Sequence, residues 1–346
     1  MRIELLSLLA CPDCRFGRLE ETLLSGRSAW SGGSPLVLER GARTHDGDVI
    51  EGALRCPACG ASYPIDDGLA VLLPSSCRAS PPPEPGKSGT AGYESEAVLG
   101  AYMWSSFGDF AAPARNEDQE PPCGAAPGAA YARWGEMLGP GPSPALDAGC
   151  GVGRSTLELA ARRGLCVGVE LSERFARAAR RLLADGSFEC SLTEQGRLTR
   201  PLKVVLPERL RHVRAEFVVA DAMALPFRSG AFACAASLNL LDRLPRPLDH
   251  VRELDRVLAA RGVELLLADP FSWSEDIAPE ERWLGGTALG PFAGRSEDVV
   301  PGLLGGEGGH LAAPLAVRGR EAVPWTLRTH RNHYENIMSQ TFLAER

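Results

Sequence analysis

The chain has 346 residues, 44% of them apolar, and a formal net charge of −7. That apolar share can fill a real core and excludes a disordered chain. The acidic balance argues against a general DNA or RNA binder, which carries a basic domain or stripe, and no apolar run is long enough to span a bilayer.

At the N-terminus SLLAC (7–11) has the look of a lipoprotein cleavage box. Glu4 interrupts the apolar stretch that a signal peptide needs, so a cytoplasmic protein without membrane contact is expected. Ten cysteines in that compartment read as metal ligands or buried thiols rather than disulfides. Two CxxC knuckles, ACPDC (10–14) and RCPACG (55–60), offer Cys11, Cys14, Cys56 and Cys59. Four thiolates suit tetrahedral zinc, and such a site can fold a small unit that lacks its own core. The spacer exceeds the usual length of about 15–20 residues, so SGRSAWSGGSP (25–35) is expected to loop out, at little entropic cost. A zinc ribbon is therefore expected over 1–74, and a Pro/Ser/Gly-rich linker over 75–92. Cys77, Cys123, Cys166, Cys190 and Cys234 show no pairing logic and read as bystanders; Cys150 reads as a small filler.

Residues 93–346 carry alternating strand and helix signals, with a second flexible stretch at 111–130. PALDAG (144–149) reads as a short apolar strand and STLELAARRG (155–164) as a helix ended by Gly164. LCVGVEL (165–171) is a second strand, and 172–186 a second helix with Ser172 as N-cap. EFVVAD (216–221), AFACAASLNL (231–240) and VELLLAD (263–269) read as buried strands, with a helix over 247–262. Such alternation predicts an α/β, mostly parallel sheet with helices on both faces. Residues 271–321 are Gly-rich and weakly periodic, so loops and short helices are expected; the tail from 321 supplies two last strands, one antiparallel.

The glycine loop LDAGCGVGRS (146–155) decides the ligand class. A dinucleotide fingerprint needs a third glycine where Arg154 or Thr156 stands, and a Walker loop needs a lysine that is absent. The pattern is instead Asp147-x-Gly149-x-Gly151-x-Gly153, which lets backbone turn tightly and a ligand approach without a Cβ in the way. Glu170 closes the second strand, where a carboxylate accepts both ribose hydroxyls of a nucleoside. Asp221 closes the third, where an adenine edge would lie.

This order resembles the class I S-adenosylmethionine (SAM) methyltransferases, a Rossmann-like fold, over about 145–269. The resemblance implies that Asp147, Gly149 and Gly151 border the methionine part of SAM, with Gly153 in the same cofactor-binding loop, that Glu170 holds its ribose, and that Asp221 and Ala222 lie by its adenine. ASLNLLDRLPRP (236–247), DPFSWSEDIAPEERWLGG (269–286) and VPWTLR (323–328), with 93–110 and 187–198, resemble the methyltransferase domain of ovothiol biosynthesis, the mercaptohistidine N-methyltransferases. That resemblance implies methyl transfer to an imidazole nitrogen of a thiol-bearing histidine. The frame around the CxxC pairs resembles the Trm-type zinc ribbons that activate tRNA and release-factor methyltransferases.

On the acceptor side Asn239 follows the fourth strand, with Asp242 one short turn on, and Trp283 in WLGG (283–286) offers a planar face to stack an acceptor. Asn239 and Trp283 are the expected catalytic residues, and a neutral imidazole nitrogen, which already has a lone pair, needs little help from a base. His330, His333 and Tyr334 read as a surface turn. The expected acceptor is a small molecule, the alternatives being an RNA or protein docked by the ribbon, or a SAM-binding sensor without catalysis; DNA is not expected. The expected cofactors are SAM and a structural zinc ion.

Overall fold

The computed structural model describes residues 1–14, 33–78, 93–111 and 124–346. Cys123, the greater part of the expected loop at 25–35 and residues 79–92 of the expected linker lie outside the described residues.

The strands run β1 (Val37–Leu38), β2 (Arg43–His45), β3 (Asp48–Arg55), β4 (Ser62–Asp66), β5 (Leu69–Val71), β6 (Ala145–Ala148) and β7 (Cys166–Glu170). They continue as β8 (Ser187–Gln195), β9 (Leu198–Val205), β10 (Ala215–Val219), β11 (Cys234–Leu238), β12 (Glu264–Asp269), β13 (Ala316–His330) and β14 (His333–Glu345). The helices that matter here are α1 (Glu96–Phe107), α2 (Ala129–Leu138), α3 (Arg154–Arg163), α4 (Glu173–Asp185), α5 (Pro247–Val257) and α6 (Ser296–Leu304).

Among the described residues, twelve strands form one sheet in the order β1-β3-β4-β5-β10-β7-β6-β11-β12-β14-β13, with β2 attached to β3. From β10 to β12 every pairing is parallel. These strands are short and buried on both faces, which is why they read as unbroken apolar runs rather than alternations. β14 enters antiparallel to both β12 and β13, so the expected mixed sheet is present, with its antiparallel strand in the tail.

The CxxC segment is continuous with that sheet. β5 lies parallel to β10, pairing Ala70 with Val218 and Val71 with Val219, and Leu72 N–H donates to Val219 C=O at 2.7 Å. One core cluster mixes Leu5, Leu9, Leu54 and Tyr63 with Leu146, Val167, Val218 and Leu254. A second, on the opposite face, gathers Leu99, Met103, Trp134, Leu157, Phe175 and Phe217 from α1 to α4 and β10. Alternate strand residues feed opposite faces, as the two-residue period requires. At about 1.5–3 kcal/mol for each large side chain buried, the shared cluster makes the ribbon strands part of one folding unit with the sheet.

α4 illustrates how local sequence sets an element. Ser172 Oγ accepts from Phe175 N–H at 3.2 Å as N-cap, and Phe175, Ala176, Ala179 and Leu182 form the buried stripe. Gly186 ends it at φ +67°, a left-handed conformation that suits glycine. Residues 187–205 form a β8–β9 hairpin closed near Gly196, an element absent from the reading of the sequence. Its alternating apolar residues Cys190, Leu192, Leu202 and Val204 are buried and carried the signal. The expected linker begins with a short helix, Ser75–Arg78.

Arg154 explains why the glycine loop departs from a dinucleotide fingerprint. Its side chain is buried and donates to Ser106 C=O at 2.7 Å, to both Asp109 carboxylate oxygens at 2.7 and 2.9 Å, and to Glu158 at 3.1 Å. The guanidinium also covers the Phe110 ring. It therefore fixes the end of α1 against the start of α3. Arg154→Ala leaves Glu158 and Asp109 without that partner, and a loss of about 3–5 kcal/mol is expected. Urea denaturation checks this; a change under 1 kcal/mol would contradict the role.

Candidate functional site

The sheet order turns away in both directions from the β6–β11 junction, and open α/β sheets bind ligands outside the carboxyl ends of their strands at such a reversal. The loop after β6 supplies Gly149, Gly151 and Gly153 at φ +75°, +55° and +90°. Gly149 and Cys150 N–H groups both donate to Val169 C=O at 2.9 Å, which folds the loop back onto β7. The three glycines serve different needs. A Cβ on Gly149 would meet Leu240 at 2.8 Å, and one on Gly153 would meet Phe217 at 2.8 Å. A Cβ on Gly151 meets nothing within 4 Å, so this glycine borders open space.

Glu170 stands at the end of β7. Its Oε2 accepts from Gly151 N–H at 2.9 Å and its Oε1 from Ser172 N–H at 2.8 Å. Burial raises its pKa, and these N–H groups oppose the rise. Asp221 follows β10; its Oδ1 accepts from Met223 N–H at 2.8 Å, and burial again raises its pKa. The adjacent Ala222 is held by its carbonyl, 3.0 Å from His250 Nδ1, whose Nε2 lies 2.9 Å from Ser237 Oγ. Burial lowers the His250 pKa to about 4, so the imidazole is neutral. With Nδ1 as donor to Ala222, Nε2 accepts from Ser237. Asp147 lies beneath the loop, its Oδ2 accepting from Thr156 Oγ1 at 2.7 Å. It supports the loop from the buried side.

Asn239, at the end of β11, has φ +54°, and Phe271, after β12, has φ +55°. Non-glycine residues seldom adopt this conformation, and those that do gather at ligand sites. Asn239 Oδ1 accepts from Ser339 Oγ at 2.6 Å, which turns the opposite, NH₂ edge of the amide away from β14. Asp269, whose strand end was visible in the sequence but was given no role, organises this corner. Its Oδ2 accepts from Leu241 N–H and Asp242 N–H at 2.7 and 3.3 Å, and its Oδ1 from Phe271 N–H at 2.8 Å. Burial and then the neighbouring Asp242 carboxylate raise its pKa. Asp242 is itself tied to Ser272 N–H, so it builds the loop.

Trp283 is packed among other aromatics rather than standing alone. It stacks on Trp273 at 6.3 Å and donates from Nε1 to Ala278 C=O at 2.8 Å. The wall nearer α1 was not foreseen: Tyr102 lies against Phe175 and Trp325, with its hydroxyl 3.4 Å from that of Tyr93. Above the strand ends, the β13–β14 hairpin continues past its pairing with β12, and Arg328 ties it to Thr193 C=O and Glu194 of the β8–β9 hairpin at 2.7 Å. His330 and His333 pair across its tip, in a turn as expected.

The four expected metal ligands converge. The Sγ atoms of Cys11, Cys14, Cys56 and Cys59 all lie within 4.8 Å of one another. Cys11–Cys59 and Cys14–Cys56 are each 3.6 Å apart. A tetrahedral ion with Zn–S bonds of about 2.3 Å separates its sulfurs by about 3.8 Å, so the cluster fits a structural zinc ion. Burial raises the Cys56 thiol, but N–H groups of Cys59 and Ala58 outweigh it and bring the pKa to about 6. Burial instead raises the Cys11 thiol to about 11 and raises the Cys14 thiol as well, so a metal bound there displaces their protons.

Residues 146–266 match the family described as methyltransferase domain, and residues 2–68 the family described as Trm112p-like protein. An ajmaline N-methyltransferase of Rauvolfia serpentina is 25% identical over 144 residues, 41% of this chain and 40% of that protein. A chloroplastic tocopherol O-methyltransferase of Arabidopsis thaliana is 33% identical over 118 residues, 34% of this chain and 27% of that protein. The chain thus spans less than half the length of these curated relatives. Among solved structures, magnesium protoporphyrin IX methyltransferase of Synechocystis PCC 6803 with bound SAM superposes with a TM-score of 0.39 at 16% identity, covering 73% of this chain and 97% of that one. Among the described residues, no helix is long and apolar enough to cross a membrane.

Burial pushes the Asp147 carboxyl from 3.8 up to about 7, with hydroxyl donors opposing. A folded-state pKa above the unfolded value means that this group's stabilising contribution is full below about pH 4 and is lost as pH rises through about 7. Asp147→Asn is therefore expected to flatten the fall in Tm of the ligand-free protein between pH 5 and 8. A Tm profile with the wild-type slope would contradict the burial of an ionisable group there.

Proposed function

We propose that this chain, with a methyltransferase domain at 146–266 and a Trm112p-like segment at 2–68, transfers the methyl group of SAM to a nitrogen of a small imidazole or thiol-histidine-like acceptor. The observation that carries the SAM reading is the Gly151–Glu170 hydrogen bond beside an open glycine. It holds a carboxylate with backbone approach at the place where a nucleoside ribose would lie. Bound there, SAM supplies a methyl group already activated by its sulfonium sulfur.

The chain's own contribution is positioning. Gly151 admits the methionine part while Gly149 and Gly153 let the loop pack on Leu240 and Phe217, Glu170 accepts from the ribose hydroxyls, and Asp221 and Ala222 take the adenine edge. Asn239 directs its NH₂ edge toward the acceptor and helps hold the acceptor nitrogen in line. Holding two reactants close and aligned is worth several kcal/mol of barrier, and an imidazole lone pair needs no base to attack. The methylated ring then loses the proton on its other nitrogen to solvent. Trp283 is already engaged by Trp273 and the Ala278 carbonyl, so Asn239 is the stronger acceptor-side candidate.

Two features favour a small acceptor over a macromolecule. The matched curated relatives are named for ajmaline and tocopherol, and the CxxC segment spends its strand edge on β10 rather than offering it to a partner. Incubating the purified protein with methyl-labelled SAM and cell extract, then separating by size, tests the reading. Label is expected in the small-molecule fraction, on an imidazole nitrogen; label in RNA or protein would overturn it. With the acceptor in hand, Asn239→Ala is expected to lower kcat about tenfold or more while leaving SAM affinity within about twofold. Unchanged kcat would remove Asn239 from the site.

A further inference from the structure

The knuckle of the ribbon and the adenine end of the sheet are joined by a chain of contacts that neither motif explains. Asp13 lies between Cys11 and Cys14 but is not one of the four thiol ligands. Its Oδ2 accepts from Tyr63 Oη at 2.6 Å, and that hydroxyl is 3.1 Å from Cys11 Sγ. Its Oδ1 accepts from both Ser75 N–H and Ser75 Oγ, at 2.7 and 2.5 Å. Ser75 opens the short helix Ser75–Arg78, and Cys77 of that helix places its thiol 3.9 Å from Asp221 Oδ2, within the reach of a sulfur hydrogen bond. The backbone brings the segment there: β5 runs parallel to β10, Leu72 N–H donates to Val219 C=O, and the chain leaves over the strand end that Asp221 follows. A second set of contacts ties the same loop to the ribbon. Ala10 N–H donates to Pro226 C=O, and Arg228 N–H to Leu8 C=O, each at 2.9 Å.

We infer that Asp13 is a positioning residue for cofactor binding. It latches the zinc knuckle to the Ser75–Arg78 helix, and that helix, through Cys77, sets the Asp221 carboxylate for the adenine edge. The inference rests on the reading of Asp221 as the adenine-side residue. Without the latch, two donors on Ser75 and the Tyr63 hydroxyl lose a charged acceptor, and the helix is free to leave Asp221. Transmission to the site of part of one such hydrogen bond to a charged group predicts a loss of affinity of about fivefold or more.

The test is calorimetric titration of SAM into the full-length, zinc-loaded chain, with zinc per chain measured on the same samples. Asp13→Ala is expected to weaken SAM binding about fivefold or more and to raise KM for SAM without lowering kcat, with zinc content unchanged. Asp13→Asn keeps one carbonyl acceptor and is expected to recover part of the loss. Ser75→Ala, outside the knuckle, is expected to weaken binding in the same direction, and it decides the matter if Asp13→Ala loses zinc. SAM affinity within twofold of wild type in Ser75→Ala and in a zinc-loaded Asp13 variant overturns the latch alone. Absence of SAM binding by the wild-type chain overturns the methyltransferase reading on which it stands.

Discussion

β10 is the strand on which the arrangement depends. In a sheet that began at β10, its outer edge would present a row of unpaired N–H and C=O groups, a template for aggregation that folded proteins cover or blunt. Here the CxxC segment covers it with β5 and carries the sheet on through β4, β3 and β1. That pairing fixes where Leu8, Ala10 and Ser75–Arg78 lie, and these residues contact the loop between Asp221 and Arg228. From the other side α5 grips the same loop: Glu253 accepts from Leu225 N–H, and Arg256 donates to the Leu225 and Phe227 carbonyls. The loop proposed to take the adenine edge is thus anchored on two sides before any ligand arrives, so little ordering cost remains for binding.

The opposite side of the site is built on different physics. Around Asn239, Asp242 and Asp269 the backbone takes left-handed turns at two non-glycine residues, and buried carboxylates accept main-chain N–H groups to keep them there. Strain of about 1–3 kcal/mol per such residue persists only where surroundings over-determine it, and Asp269 supplies three of the constraints. The proposed cofactor side is therefore a clamped loop, and the proposed acceptor side a strained one. Rigid strands place both, which suits a reaction whose rate depends on alignment.

Much of this was legible because the chemistry is carried by local sequence. The glycine loop, the carboxylates at successive strand ends and the CxxC pairs each need particular residue types at particular spacings, and the structure brings each group together. What the sequence hid was long-range. Arg154 looks like a failed glycine until its partners Ser106 and Asp109, far back in the chain, come into view. Cys77 reads as a bystander because its neighbour Asp221 lies 144 residues on. The β8–β9 hairpin carries its alternation in Cys190, Leu192, Leu202 and Val204, and packing against α1, distant in sequence, buries that face. Trp283 looked like an open stacking surface because its companion Trp273 shares no obvious period with it.

The central claim is that Glu170, held by Gly151, grips the ribose of SAM. Calorimetric titration of SAM into the wild-type chain and into Glu170→Ala tests it most directly. The account predicts one SAM per chain in the wild type and a loss of about tenfold or more in affinity on removal of the carboxylate. Equal affinity in both proteins would contradict it.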